Sequence, residues 1–176
     1  GIDSLRDLFM RLPVRYEDLT RASPCALDAL GMFVFTGKLL QRPTSSWHDG
    51  LNKVEAVIED ASGKLRVCWF HQPWIAKQLH QGMTLNLYGR LVRTKQGRRE
   101  LQNPQQVTLG LIRPVYQPIP GLPQKLLRDL IAQHLDELPD MVDEVLPNEM
   151  IVEYGFPTRK EAFVEAHAPQ SFHSAE

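Results

Sequence analysis

The chain has 176 residues, enough to bury a real core either as one ordinary domain or as a small domain with helical extensions. Its 43% hydrophobic and 23% charged content is that of a globular protein and excludes disorder as the default. A net charge of −1 argues against a nucleic-acid binder only as an average: residues 1–32 carry four basic and five acidic side chains, residues 33–110 eleven and five, and residues 111–176 five and eleven. A +6 middle beside a −6 end suggests that the middle faces an anion, while the end faces water, a basic partner or another part of a larger protein. Cys25 and Cys68 lie far apart with no CxxC, which points to neither a disulfide framework nor a zinc site. No run approaches the roughly 18 apolar residues of a membrane span, and Gly1-Ile2-Asp3-Ser4 lacks the regions of a signal peptide. A cytoplasmic protein without membrane contact is the expectation.

Ser4-Leu5-Arg6-Asp7 precedes apolar residues at Leu5, Leu8, Phe9 and Leu12, which predicts a capped amphipathic helix stopped at Pro13. Pro13–Asp18 reads as an extended, charged connection. From Met32 the period changes to two. Phe33, Phe35, Gly37 and Leu39 form one strand face, Val54, Ala56 and Ile58 a second, and Leu65, Val67 and Trp69 a third, with Asp60-Ala61-Ser62-Gly63 as the turn between the last two. Gln72–His80 predicts a short helix. Leu85, Leu87, Gly89 and Leu91 then lead to a basic tip at Arg93–Arg99 and a return strand near Leu101–Leu109.

Strand, strand, strand, helix, strand, strand in about 78 residues is the order of an OB-fold, a five-stranded Greek-key barrel whose second and third strands and adjoining loops commonly hold oligonucleotides. A generic small barrel of the SH3 type is the alternative, and the helix between strands three and four favours OB. After Pro114 the pattern is helical: Leu122, Leu126, Leu127, Leu130, Ile131 and Leu135 mark one face behind Pro123, followed by short helices over 147–154 and 158–167 and a loose tail from Pro169. The fold class is therefore mainly β with flanking α-helices. It divides into an N-terminal helix and connection (1–30), the barrel (31–110) and a helical extension (111–176).

The chemistry legible in the sequence is that of binding. Gly37-Lys38 and Gly63-Lys64 lack the upstream glycine of a phosphate-binding loop, and the six histidines show neither metal-binding spacing nor a triad context. Catalytic residues, metal ligands and cofactors are expected to be absent. Arg90, Arg93, Lys95, Arg98 and Arg99 put five cations on one hairpin, a density suited to phosphate neutralisation. Arg66 adds another on the third strand. Phe70 and Trp74 flank a strand-to-helix corner, and the exposed-loop Trp47 lies in the same module; such aromatics stack on unpaired bases. Because Leu65, Val67 and Trp69 share one strand face and Arg66, Cys68 and Phe70 the other, Trp69 is expected buried, Phe70 exposed and Trp74 projecting from the following helix turn.

Ile2-Asp3-Ser4-Leu5-Arg6-Asp7-Leu8 after Gly1, Leu12-Pro13-Val14-Arg15-Tyr16-Glu17-Asp18, Trp69-Phe70-His71-Gln72-Pro73-Trp74, and Pro114-Val115-Tyr116-Gln117-Pro118 with Gly121-Leu122 together resemble the amino-terminal portion of the RecG family of branched-DNA translocases. The resemblance runs from Ile2 to about Pro169. It implies that residues 31–110 form a wedge domain, which splits strands at the junction of a stalled replication fork while ATP- and Mg-dependent motor domains pull the duplex. It also implies that Phe70 and Trp74 stack on bases at the branch, that branched or forked DNA and the motor domains are partners, and that this chain is a non-enzymatic fragment. A single-stranded DNA-binding protein joins that list of expected partners. Pro120 stands where the family usually has a small polar residue, and residues 170–176 depart from the family pattern. The rival from the residues alone is an OB-fold protein-interaction module that docks through its acidic end.

Overall fold

Eight strands form among the residues described in the computed structural model, which are 3–48, 50–140 and 142–171: β1 Arg15–Leu19, β2 Gly31–Leu39, β3 Thr44–His48, β4 Leu51–Asp60, β5 Gly63–Phe70, β6 Thr84–Arg93, β7 Arg99–Gln106 and β8 Leu111–Val115. Gly1, Ile2, the tail 172–176 and with it His173 lie outside the described residues. The chain divides into two units, Leu19–Gly110 and a discontinuous one of Gly1–Asp18 with Leu111–Glu176. The sequence reading sets three consecutive segments, whereas here the N-terminal helix and the helical extension build a common core.

In the first unit the sheet runs β2-β6-β7-β5-β4-β3, and a second pairing of β2 with β4, through Lys38↔Glu59 and Leu39↔Ile58, closes it. Of the barrel neighbours only β5 and β7 are parallel. Numbered within the barrel, the five strands close in the order 1-4-5-3-2, which is the OB Greek key. Closure demands close approach at two glycines. A Cβ on Gly37 would sit 2.9 Å from Cβ of Ile58, and one on Gly89 would sit 2.9 Å from Cα of Pro104, beside the register shift between β6 and β7.

The alternation read from sequence fills the barrel: Phe35, Val54, Ile58, Leu65, Val67, Trp69, Leu85, Leu91 and Leu101 are buried together. Cys68 is the exception to the two-face reading, since it lies on the Arg66–Phe70 face and is nonetheless fully buried. Its cross-strand neighbours Glu55 and Gln102, with Glu100, cover it from both sides.

The hairpin strand β3 is absent from the sequence reading, because Thr44-Ser45-Ser46-Trp47-His48 has no apolar alternation. It pairs with the start of β4 along its whole length, so Trp47 stands in a strand and not in a loop. Between β5 and β6 the expected helix over 72–80 is a single turn, α2 Ile75–Gln78, because Pro73 has no N–H to donate and Leu79 already turns extended.

In the second unit Ser4 caps α1 as its pattern predicts, accepting from the Asp7 amide at 3.1 Å, but the helix is α1 Leu5–Phe9 and stops short of Leu12. The segment after Pro13 is strand β1, paired with β8 and pinned by a largely buried ion pair of Glu17 and Arg113 at 2.7 Å. Helices α3 Gln124–Gln133, α4 Asn148–Tyr154 and α5 Arg159–His167 follow, with a 3-10 turn over Leu135–Asp140. Leu8 and Phe9 pack with Tyr116, Leu127, Ile131, Leu138 and Val142. His167 lies at the centre of this unit, its Nδ1 3.0 Å from the Tyr116 hydroxyl and its Nε2 2.8 Å from the Phe9 carbonyl. A carbonyl can only accept, so Nε2 carries the proton and Tyr116 donates to Nδ1. Among the described residues no helix is long and apolar enough to cross a membrane.

Candidate nucleic-acid interface

The corner after β5 is fixed by the backbone. Trp69 is 2% exposed and its indole N–H donates to the Pro104 carbonyl at 2.9 Å, which satisfies the buried polar group and pins the strand end. One residue on, the Phe70 amide donates to the Asn103 side-chain carbonyl at 2.8 Å. Both Asn103 (φ 43°) and His71 (φ 58°) occupy the left-handed region, a conformation that asparagine and histidine adopt more readily than most residues. The His71 amide donates to the Asn52 carbonyl at 2.9 Å, and the turn delivers Trp74 to the start of α2 with half its surface exposed.

Cross-strand register shows what surrounds Phe70. Directly paired residues share a sheet face, so Lys53 stands beside Phe70; Glu55, Cys68, Gln102, Arg90 and Met32 form the next row; and Val57, Arg66, Glu100 and Val92 form the row after it. All project from the outside of the barrel. Phe70 is half-buried, where the sequence reading has it exposed, because the Lys53 side chain lies over it with the ammonium 5.7 Å from the ring centroid. Trp69 and Trp74 stand as expected. Trp47 pairs with Asn52, on the face of Val54 and Trp69, so the structure puts it on the opposite side of this sheet from Phe70.

The cations separate into two sets. Arg66, Lys95, Arg98 and Arg99 line a cleft of about 290 Å³ together with Lys53, Glu55 and Glu100. Arg66, Arg98 and Arg99 recur around a second, more open depression, where Arg93 joins them. Arg99 donates to the carbonyls of Cys25 (2.9 Å) and Leu27 (2.6 Å), and Arg93 pairs with Asp28, so these two hold down the segment before β2. Arg66, Arg90, Lys95 and Arg98 form no ion pair among the described residues.

Lys53, Glu100 and Asn103 are functional candidates that the sequence reading did not single out. Lys53 Nζ sits 2.9 Å from Glu100 and 3.0 Å from Glu55. Burial pulls the ammonium down, but the two carboxylates outweigh it and hold its pKa above the ordinary value. Glu100 is almost fully buried; burial raises it, and the hydrogen bonds from Lys53, Gln102 and Cys68 prevail and keep it below the usual carboxylate range. No local sequence motif marks these residues, and only the β4–β5–β7 register joins them.

These features define a class: a five-stranded OB barrel whose outer face combines a fixed aromatic corner with unpaired cations. The family model of the RecG wedge domain matches residues 1–138. The chain belongs to the RecG wedge-domain family. Among its relatives, the ATP-dependent DNA helicase RecG of Streptococcus pneumoniae serotype 4 is 28% identical over 97% of this chain and 26% of its own length. The enzyme of the same name from Staphylococcus epidermidis is 29% identical over 96% of this chain and 25% of its own length. A solved structure of RecG bound to a three-way DNA junction superposes with a TM-score of 0.82 at 24% identity, covering 99% of this chain and 25% of that one, and has the same fold. The chain thus spans about a quarter of the length of the curated relatives it matches.

Proposed function

We propose that this chain is the strand-splitting, branched-DNA-binding wedge of an ATP-dependent helicase that remodels stalled forks, and that it has no catalysis of its own. The observation that carries this reading is the placement of the Phe70 corner on the same outer face as Arg66 and Arg90, next to a cleft edged by Lys95 and Arg98. Phe70 and Trp74 offer π-faces to bases unpaired at the branch, and Arg66, Arg90, Lys95 and Arg98 follow phosphates; Arg93 and Arg99 support the tip and contribute charge. Stacking accepts every base and phosphate contacts carry no base information, so the preference is for branch shape, not sequence. In a longer polypeptide of the relatives' kind, ATP and Mg serve the motor beyond this chain, in the cytoplasm.

The test is a titration of the chain with a labelled three-way junction, the matching linear duplex and a single strand over a range of salt. Tightest binding to the junction, with a steep fall as salt rises, is the expected result. Equal affinity for the three ligands overturns the wedge reading.

A further inference from the structure

Resting on that reading, the geometry points to Lys53 as the positioning residue of the stacking site: clamped between Glu55 and Glu100, it fixes the Phe70 ring and does not itself engage phosphate. Three observations lead here. The Lys53 ammonium lies within the roughly 6 Å at which a cation is attracted to an aromatic face. Its side chain is 28% exposed, and its charge is already met by two carboxylates at 3.0 Å or less, so it has little left to offer a polyanion. Glu100 is itself held by Gln102 and sits opposite Arg66 in the β5–β7 pairing, so the clamp is anchored in the wall of the cation cleft, with the lysine's charge already spent on its two carboxylates.

The arrangement also answers a chemical problem. A buried carboxylate under a phosphate path repels the ligand, and Lys53 neutralises it from within the protein. The lysine therefore serves the interface twice without touching DNA, as counter-ion to Glu100 and as the brace of the ring. Arg66, Lys95 and Arg98, which have no such partners, remain the groups that exchange counter-ions for phosphates.

The experiment places 2-aminopurine at the branch nucleotide of a three-way junction and defines the stacking signal as the emission change on saturation that Phe70→Ala removes. The charge-neutral pair Lys53→Met with Glu100→Gln is expected to lose more than half of that signal and to weaken junction binding three- to tenfold, with the wild-type salt slope retained. Lys53→Arg is expected to keep signal, affinity and slope. A slope that falls by about one with the signal intact makes Lys53 a phosphate contact, and unchanged signal and affinity leave it a structural residue; either overturns the inference. Should the pair not melt cooperatively, Glu100→Gln alone opens one side of the clamp, and the same readings decide: signal lost at constant slope supports the inference, signal kept refutes it. If wild type and Phe70→Ala give the same emission, the stacking reading itself fails and the inference with it.

Discussion

Three aromatics within six residues have three different fates, and the difference is set by what each side chain finds across the strand. Trp69 meets Val54 and the Pro104 carbonyl inside the barrel. Phe70 meets Lys53 outside it, and Trp74 meets solvent at the first turn of α2. Trp69→Ala should therefore cost about 3–5 kcal/mol of stability through the cavity it leaves. Phe70→Ala and Trp74→Ala should each cost roughly 1–3 kcal/mol of junction binding, with melting temperatures near that of wild type. Thermal melts beside junction titrations check this, and a Phe70→Ala protein that melts as early as Trp69→Ala contradicts the outer-face placement. The cysteines offer a second test of the same packing. Burial pushes the Cys25 thiol up to about 12, and Cys68 is raised by burial and then by Glu100. Neither should react with a thiol reagent at pH 8 in the folded protein, while both should react at once in denaturant.

At the scale of the element, the β6–β7 hairpin reads in sequence as one block of five cations, yet the structure gives its members different work. Arg99 ties down the backbone at Cys25 and Leu27, whereas Lys95 and Arg98 edge the cleft unpaired. Lys95→Ala and Arg98→Ala should each lower the log–log salt slope of DNA binding by about one with little change in stability. Arg99→Ala should instead lower the melting temperature, because two carbonyls lose their donor. Barrel strands were legible because their inner faces alternate from Phe33 to Leu101. Strand β3 was not, since Ser45 and Ser46 bear no pattern, and neither was the β1–β8 pairing, which joins segments almost a hundred residues apart. The aromatic corner was legible from its composition. Its supports, Asn103 and Lys53, were not, since each acts through a partner on another strand that only the register reveals.

For the molecule as a whole, sensitivity to mild acid enters through the discontinuous unit, which holds the buried His167. His167 is buried, and burial holds its pKa below the ordinary value of 6.5. In the unfolded chain it takes up a proton near that value, so between there and its lower folded pKa the unfolded state binds more protons and stability rises with pH. The contribution is complete above about pH 6.5 and fades as the solution is acidified, when a proton on Nδ1 abolishes the bond from Tyr116. Melting of the unit that contains α1 and α5 should accordingly fall between about pH 7 and pH 5, and His167→Gln should flatten that dependence. A slope unchanged by the substitution would assign the acid sensitivity to another group.

The same histidine has a consequence for synthesis on the ribosome. The barrel is contiguous, with the Gly110 amide donating to the Leu19 carbonyl at 2.9 Å where the chain leaves it. All its partners have been made once that point has cleared the exit tunnel. Helix α1, made before any of them, is tied to residue 167 through the Phe9 carbonyl. At translation rates of about 5–20 residues per second it stays without that partner for several seconds after the barrel sequence is complete. Helix α1, made before the barrel, is thus among the last of these elements to be locked, and Leu8 and Phe9 are the apolar surface that a nascent-chain chaperone would meet in the interval.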